Sequence, residues 1–161
     1  MTMKLREILN NIIDIRLNEG SEIFKSFKHN QKEIKFEITS DAISVYIEDF
    51  FVGDFVFDLE EYGMGCEGHL FIFPESIDLG EYIGQGFYSI IIDFLIEYET
   101  GKEIAKFFRD QEDIIISSIT FQSIQRTEPA TKFWKKRGYE VEFDKEEHER
   151  GEQEKIEIEI Y

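Results

Sequence analysis

The chain has 161 residues, of which 42% are apolar and 15% aromatic. That is enough for one domain with a real core, expected over residues 1–161, and too apolar for a disordered chain. Its formal charge of −17 and pI near 4.5 set up a field that repels nucleic acid and anionic membrane and attracts cations or basic partners.

The single cysteine, Cys66, gives no disulfide framework. No secretory leader pattern opens the chain, and no window is apolar for long enough to cross a bilayer. A cytoplasmic location is the expectation. The carboxylate excess reads either as a solvated acidic surface or as an interaction surface that mimics nucleic acid, with carboxylates standing in for phosphates.

In chain order, Leu5, Ile8, Leu9, Ile12 and Leu17 recur at helical spacing and predict an amphipathic helix over Met3 to Asn18. Residues Ser21 to Gln31 follow no clear period. The period then becomes two: Ile34, Phe36 and Ile38; Ile43, Val45 and Ile47; Phe55, Phe57 and Leu59. Short polar links between these runs predict antiparallel hairpins. His69 to Phe73 is a dense apolar run that reads as a buried strand, stopped by Pro74.

The stretch EYIGQGFYSIIIDFLIEYE opens on a glycine turn and runs into a helix. Ile91, Phe94, Leu95 and Tyr98 fall on one face of that helix, over about 18 Å. Ile104, Phe107 and Phe108 mark a shorter helix, and Ile114 to Phe121 another buried strand. Pro129 to Arg137 predicts a further helix, with proline in its first turn and Gly138 past its end. Tyr139, Val141 and Phe143, then Ile156, Ile158 and Ile160, predict a closing hairpin around a charged loop.

This order predicts an α/β (α+β) chain: a mixed, mostly antiparallel sheet of about seven strands with flanking helices. The edge at Ile156 to Tyr161 offers a pairing surface to a second copy, and Glu157 and Glu159 would blunt it.

Gly84 and Gly86 let backbone N–H groups approach a ligand, and the helix they open adds about half a positive charge. Together these suit a pyrophosphate. A dinucleotide fingerprint fits poorly, because GxGxxG would need glycine at Ser89.

Thr127 to Phe143, TEPATKFWKKRGYEVEF, resembles the C-terminal signature of the GNAT N-acetyltransferase superfamily. There a strand leads into a helix of pattern N-x-x-A-x-x-F/L-Y-x-x-x-G-F, and Ala130, Phe133, Gly138 and Tyr139 match it. Upstream, IGQGFYS resembles the family's RGKGIGS turn, with Tyr82, Gly84, Gly86 and Ser89 at frequent family choices. The likeness covers His69 to Tyr161. The motif is degenerate: Ile83 stands at the arginine position, Tyr88 at the last glycine, Thr127 at the asparagine and Trp134 at the tyrosine.

The resemblance implies a GNAT-like sheet and acetyl-CoA as a bound substrate. It places the pantetheine arm on the exposed edge of Phe71, Ile72 and Phe73, and the pyrophosphate on Ile83, Gly84, Gln85, Gly86, Phe87 and Tyr88, with Thr127 beside it. It implies direct acetyl transfer to a primary amine of a small cationic molecule or a protein lysine. Trp134 occupies the position of the proton donor to the departing thiolate.

Glu67 and His69 stand where a base could act; the plainer alternatives are a solvated loop residue and a strand-end residue. Arg126, Lys132, Lys135, Lys136 and Arg137 supply local positive charge for an anionic carrier, or else complement a helix end. No metal-ligand spacing occurs. Two other readings stay open: a catalytically inactive GNAT-fold binding or regulatory protein, and an acidic interaction protein of the nucleic-acid-mimic type.

Overall fold

The computed structural model describes residues 22–63, 65–124, 128–139 and 155–161. Seven strands form one mixed sheet in chain order: β1 (Glu22–His29), β2 (Lys32–Ile38), β3 (Ala42–Ile47), β4 (Phe50–Tyr62), β5 (Glu67–Glu75), β6 (Ile115–Ile124) and β7 (Lys155–Glu159). Each adjacent pair is antiparallel except β5 and β6. This is the α/β architecture the sequence predicts. The helix expected over Met3 to Asn18, the strand at Val141 to Phe143 and the charged loop lie outside the described residues.

The alternation seen in sequence becomes one buried face. Ile34 sits opposite Ile47, Phe36 opposite Val45, Ile38 opposite Ile43, and Ile43 opposite Phe55, all fully buried. Each such side chain contributes about 1.5–3 kcal/mol relative to exposure. The opposite face is the more polar one, although it also carries the Tyr46–Phe51 ring pair: Ser44 donates to Asp54 at 2.6 Å, and the Lys35 ammonium lies 5.3 Å from the centre of the Tyr46 ring.

β1 occupies the stretch in which no period could be read. Phe24 and Phe27 stand three residues apart, out of step with a period of two, yet both pack on the core; the register is irregular between Ile23 and Lys25. The bulge hides the alternation. The β1–β2 turn is made by Asn30 and Gln31, both at positive φ (49° and 63°).

A parallel pair needs a crossover. Between β5 and β6 it runs through α1 (Phe87–Leu95) and α2 (Tyr98–Glu112). The predicted 18 Å helix is therefore two elements. α1 ends at Leu95, after about 14 Å, and Tyr98 begins α2 with 60% of its surface exposed. Tyr98 is not a core residue, whereas Ile91 and Leu95 are fully buried. The helix around Ile104 is the longer of the two, with 15 residues.

A third helix, α3 (Glu128–Lys136), follows β6. Its Trp134 is 1% exposed and packs 6.0 Å from the Phe121 ring, which fixes α3 to the helix-covered face.

Candidate functional site

Two features meet at the end of the sheet where β5 and β6 finish. The first is an opening between these strands. Their register runs from Glu67 with Ile115 to Ile72 with Phe121 and stops. Both strands continue, β5 to Glu75 and β6 to Ile124. Meanwhile β5 stays paired with β4 as far as Glu75 opposite Asp54, and β6 with β7 as far as Ile124 opposite Lys155. From Phe73 onward the side of β5 that faces β6 has lost its partner. Ligands of open α/β sheets sit at such strand ends.

The second feature is the glycine turn. After β5 the chain folds back over the β3–β4 turn, where the Asp78 amide donates to the Val52 carbonyl at 2.8 Å. A short 3₁₀ turn, Gly80–Tyr82, follows. Tyr82 is buried between Phe50, at 6.0 Å, and Phe87, at 5.4 Å. This anchor delivers Ile83, 68% exposed, and then Gly84 and Gly86.

Both glycines are left-handed, with φ of 78° and 82°, a conformation that costs other L-residues about 1–2 kcal/mol. Gly86 is the residue that precedes α1, and no side chain caps the helix there. The first described amide of α1 to find a backbone acceptor outside the helix is that of Ile90, which donates to Gly86 at 3.2 Å. No described residue accepts a hydrogen bond from the amides of Gly84 to Ser89. A row of unpartnered N–H groups at a helix start attracts an anion.

The back of the turn is held by a contact the sequence did not announce. His29 Nε2 lies 2.9 Å from the Gln85 carbonyl oxygen. That oxygen can only accept, so Nε2 carries the proton. Asn30 Nδ2 donates to the same oxygen at 3.1 Å. The His29 ring meets Phe87 edge-on at 4.8 Å, and the Gln85 side chain donates back to the Glu81 carbonyl at 3.0 Å. The β1–β2 turn thus braces the glycine turn through its carbonyl and leaves the amides clear. The αL preference of Asn30 was the available signal for this turn.

The remaining predicted residues are placed as follows. Glu67 is exposed at the start of β5. His69 is partly buried on the polar face and stacks on Phe71 at 4.4 Å. Its Nδ1 lies 2.6 Å from Ser118 Oγ and its Nε2 2.9 Å from Thr120 Oγ1, so two β6 hydroxyls hold the ring. Neither Ser118 nor Thr120 stood out in the sequence, because only the parallel register brings them beside His69. Phe71 and Ile72 are registered with Thr120 and Phe121, and the free edge begins at Phe73.

Tyr88 is half-buried against Phe133, with ring centres 5.3 Å apart. Burial pushes its phenol above the ordinary tyrosine range, and the Arg137 cation opposes this only in part. Tyr88 therefore packs sideways between α1 and α3. Trp134 is enclosed by Phe121, Phe133 and Tyr139. Thr127 and Arg126 lie outside the described residues. Lys135 and Lys136 are exposed at the end of α3, whereas Arg137 is consumed by Asp93.

Among the described residues no group of three or more His, Cys, Asp or Glu could hold a metal ion. Among them, too, no helix is long and apolar enough to cross a membrane.

No family model matches the chain, and no curated protein matches it. Among solved structures, it is similar to Arabidopsis thaliana Naa50 in complex with the bisubstrate analogue CoA-Ac-MVNAL. The two share 19% sequence identity with a TM-score of 0.34, over 63% of this chain and 58% of that one. The match thus spans less than two thirds of that protein's length.

Proposed function

We propose that this protein is a GNAT-type N-acetyltransferase that carries an acetyl group from acetyl-CoA to a primary amine of a small cationic molecule or a protein lysine. One observation carries the reading: the β5–β6 pairing ends at Ile72 and Phe121 beside a helix start whose amides, Gly84 to Ser89, have no described acceptor.

The residues present fit the carrier in two respects. The amides and the dipole of α1 suit a pyrophosphate. The unpaired β5 edge from Phe73 to Glu75 suits the amide-bearing pantetheine arm as an added strand partner. Ile83 supplies no cation, so the turn relies on backbone donors.

In this reading the amine nitrogen attacks the thioester carbonyl and the C–S bond breaks. The proton lost by the amine passes to the protein or solvent, and the departing sulfur takes one up. Positioning is the main contribution the protein makes. His69 serves as the base, its proton relayed through Ser118 or Thr120, each of which both donates and accepts. The −17 charge favours approach of a cationic acceptor. The location is cytoplasmic, and the β7 edge allows a homodimer.

A second reading has its own observation. Trp134, at the position of the family's proton donor, is 1% exposed and packed among aromatic rings. An indole N–H can donate a hydrogen bond but is far too weak an acid to give its proton to a thiolate. On this ground the fold would bind coenzyme A without turnover, as a regulatory module.

Calorimetric titration with acetyl-CoA tests the shared premise; micromolar binding is expected, and no binding at millimolar ligand rejects both readings. Turnover of polyamines and lysine peptides then separates them.

A further inference from the structure

Away from the β5–β6 opening, a groove of about 360 Å³ runs between β1 and the α1–α2 pair. That volume lies within the range of about 300 to 1,000 Å³ usual for small-ligand pockets. Its floor is aromatic: Phe94 packs 6.0 Å from Phe24 and 5.6 Å from Phe27. All three rings are only partly buried: Phe27 and Phe94 rest on Phe36 and keep part of their surface exposed.

The rim is acidic. Glu97 and Glu103 are exposed, and neither has an ion-pair partner among the described residues. The other two carboxylates of the lining are engaged: Glu99 lies 3.5 Å from Lys102, and Asp93 is held by Arg137. Lys25 is the one basic residue of the described lining.

We propose that this groove binds an organic cation, an ammonium group carried on an aromatic or alkyl body. The apolar body removes the Phe24, Phe27 and Phe94 surface from water. The ammonium gains from ring faces and from the Glu97 and Glu103 carboxylates, which have no ion-pair partner among the described residues. A bare metal ion would find no cage of ligands among the described residues, a neutral apolar molecule would leave the carboxylates unused, and an anion would be repelled. The site lies across α1 from the β5–β6 opening and stands independently of the acetyl-transfer reading.

The test is an NMR titration of the full chain with benzyltrimethylammonium. Its quaternary nitrogen cannot be acylated, so the titration reads binding without turnover, and the position of the shifted resonances tells this groove from an acceptor subsite at the β5–β6 opening. Saturable shifts of the Phe24 and Phe27 ring resonances are expected. A Glu97→Gln, Glu103→Gln double variant should weaken binding by about five- to tenfold. Both side chains are exposed, and circular dichroism checks that the variant stays folded. Neutral benzyl alcohol should bind at least about tenfold more weakly. The proposal is overturned by any of four results: no saturable shift, unchanged affinity in the double variant, benzyl alcohol binding as well as the cation, or saturation by a basic amphipathic peptide alone.

Discussion

Arg137 grips Asp93 with two donors: Nε reaches Oδ1 at 2.6 Å and Nη2 reaches Oδ2 at 3.0 Å. The pair ties the residue after α3 to the last turn of α1. The guanidinium also covers the Phe133 ring at 3.6 Å and donates to the Phe133 carbonyl at 3.1 Å. A planar fork is required for all of this, and a lysine cannot reproduce it. Asp93 is about half exposed, so the pair is screened. Arg137→Lys should cost about 1 kcal/mol, read as a lowered thermal midpoint. No loss in the lysine variant would show that charge alone holds the helices.

Gly86→Ala probes the glycine turn. It places an L-residue at φ 82° and a Cβ 3.3 Å from His29 Nε2. The expected destabilisation is about 1–2 kcal/mol, with acetyl-CoA binding weakened by far more than at a control site. Gly84→Ala shares the strain, but its Cβ meets nothing within 4 Å. Calorimetry on both variants separates backbone strain from the His29 contact.

His29→Ala removes a donor from the Gln85 carbonyl and should cost about 0.5–1.5 kcal/mol. Asn30 remains as a second donor at 3.1 Å, so the double variant should lose more than the sum of the singles. A thermodynamic cycle by chemical denaturation measures this.

Tyr88 gives a pH prediction. Its folded phenol titrates above the usual value because burial disfavours the phenolate. The unfolded chain then loses this proton first. Stability is intact below about pH 10 and falls as pH rises beyond it. Tyr88→Phe should flatten that alkaline fall in thermal melts between neutral pH and about pH 11.

His69→Ala tests the base. If His69 takes the amine proton, turnover should fall by about a hundredfold with acetyl-CoA affinity unchanged. An undiminished rate would return His69 to a purely structural role, tying β5 to the β6 hydroxyls.

Much of the architecture was legible because burial imposes strict periods. The alternations at Ile34–Ile38 and Ile43–Ile47 became β2 and β3, and the glycine pair opened a helix as expected. What escaped has physical causes. A bulge broke the alternation of β1. The α1–α2 junction at Ile96 and Glu97 carries no proline or glycine to mark it, so the first helix was expected to run on through Tyr98 and the second, which Tyr98 in fact begins, was expected to be the shorter. The site was legible only as a turn. His29, Ser118 and Thr120 reach it or flank it across 56, 49 and 51 residues of chain, a separation no local pattern encodes.

The single parallel seam between β5 and β6 also shapes how the molecule assembles. β1 to β5 form a meander whose neighbours lie close along the chain, so little loop entropy opposes its formation. The seam must instead close a segment running from Glu75 to Ile115. The meander should form early, and the β6–β7 ribbon should dock late and exchange its amide hydrogens sooner.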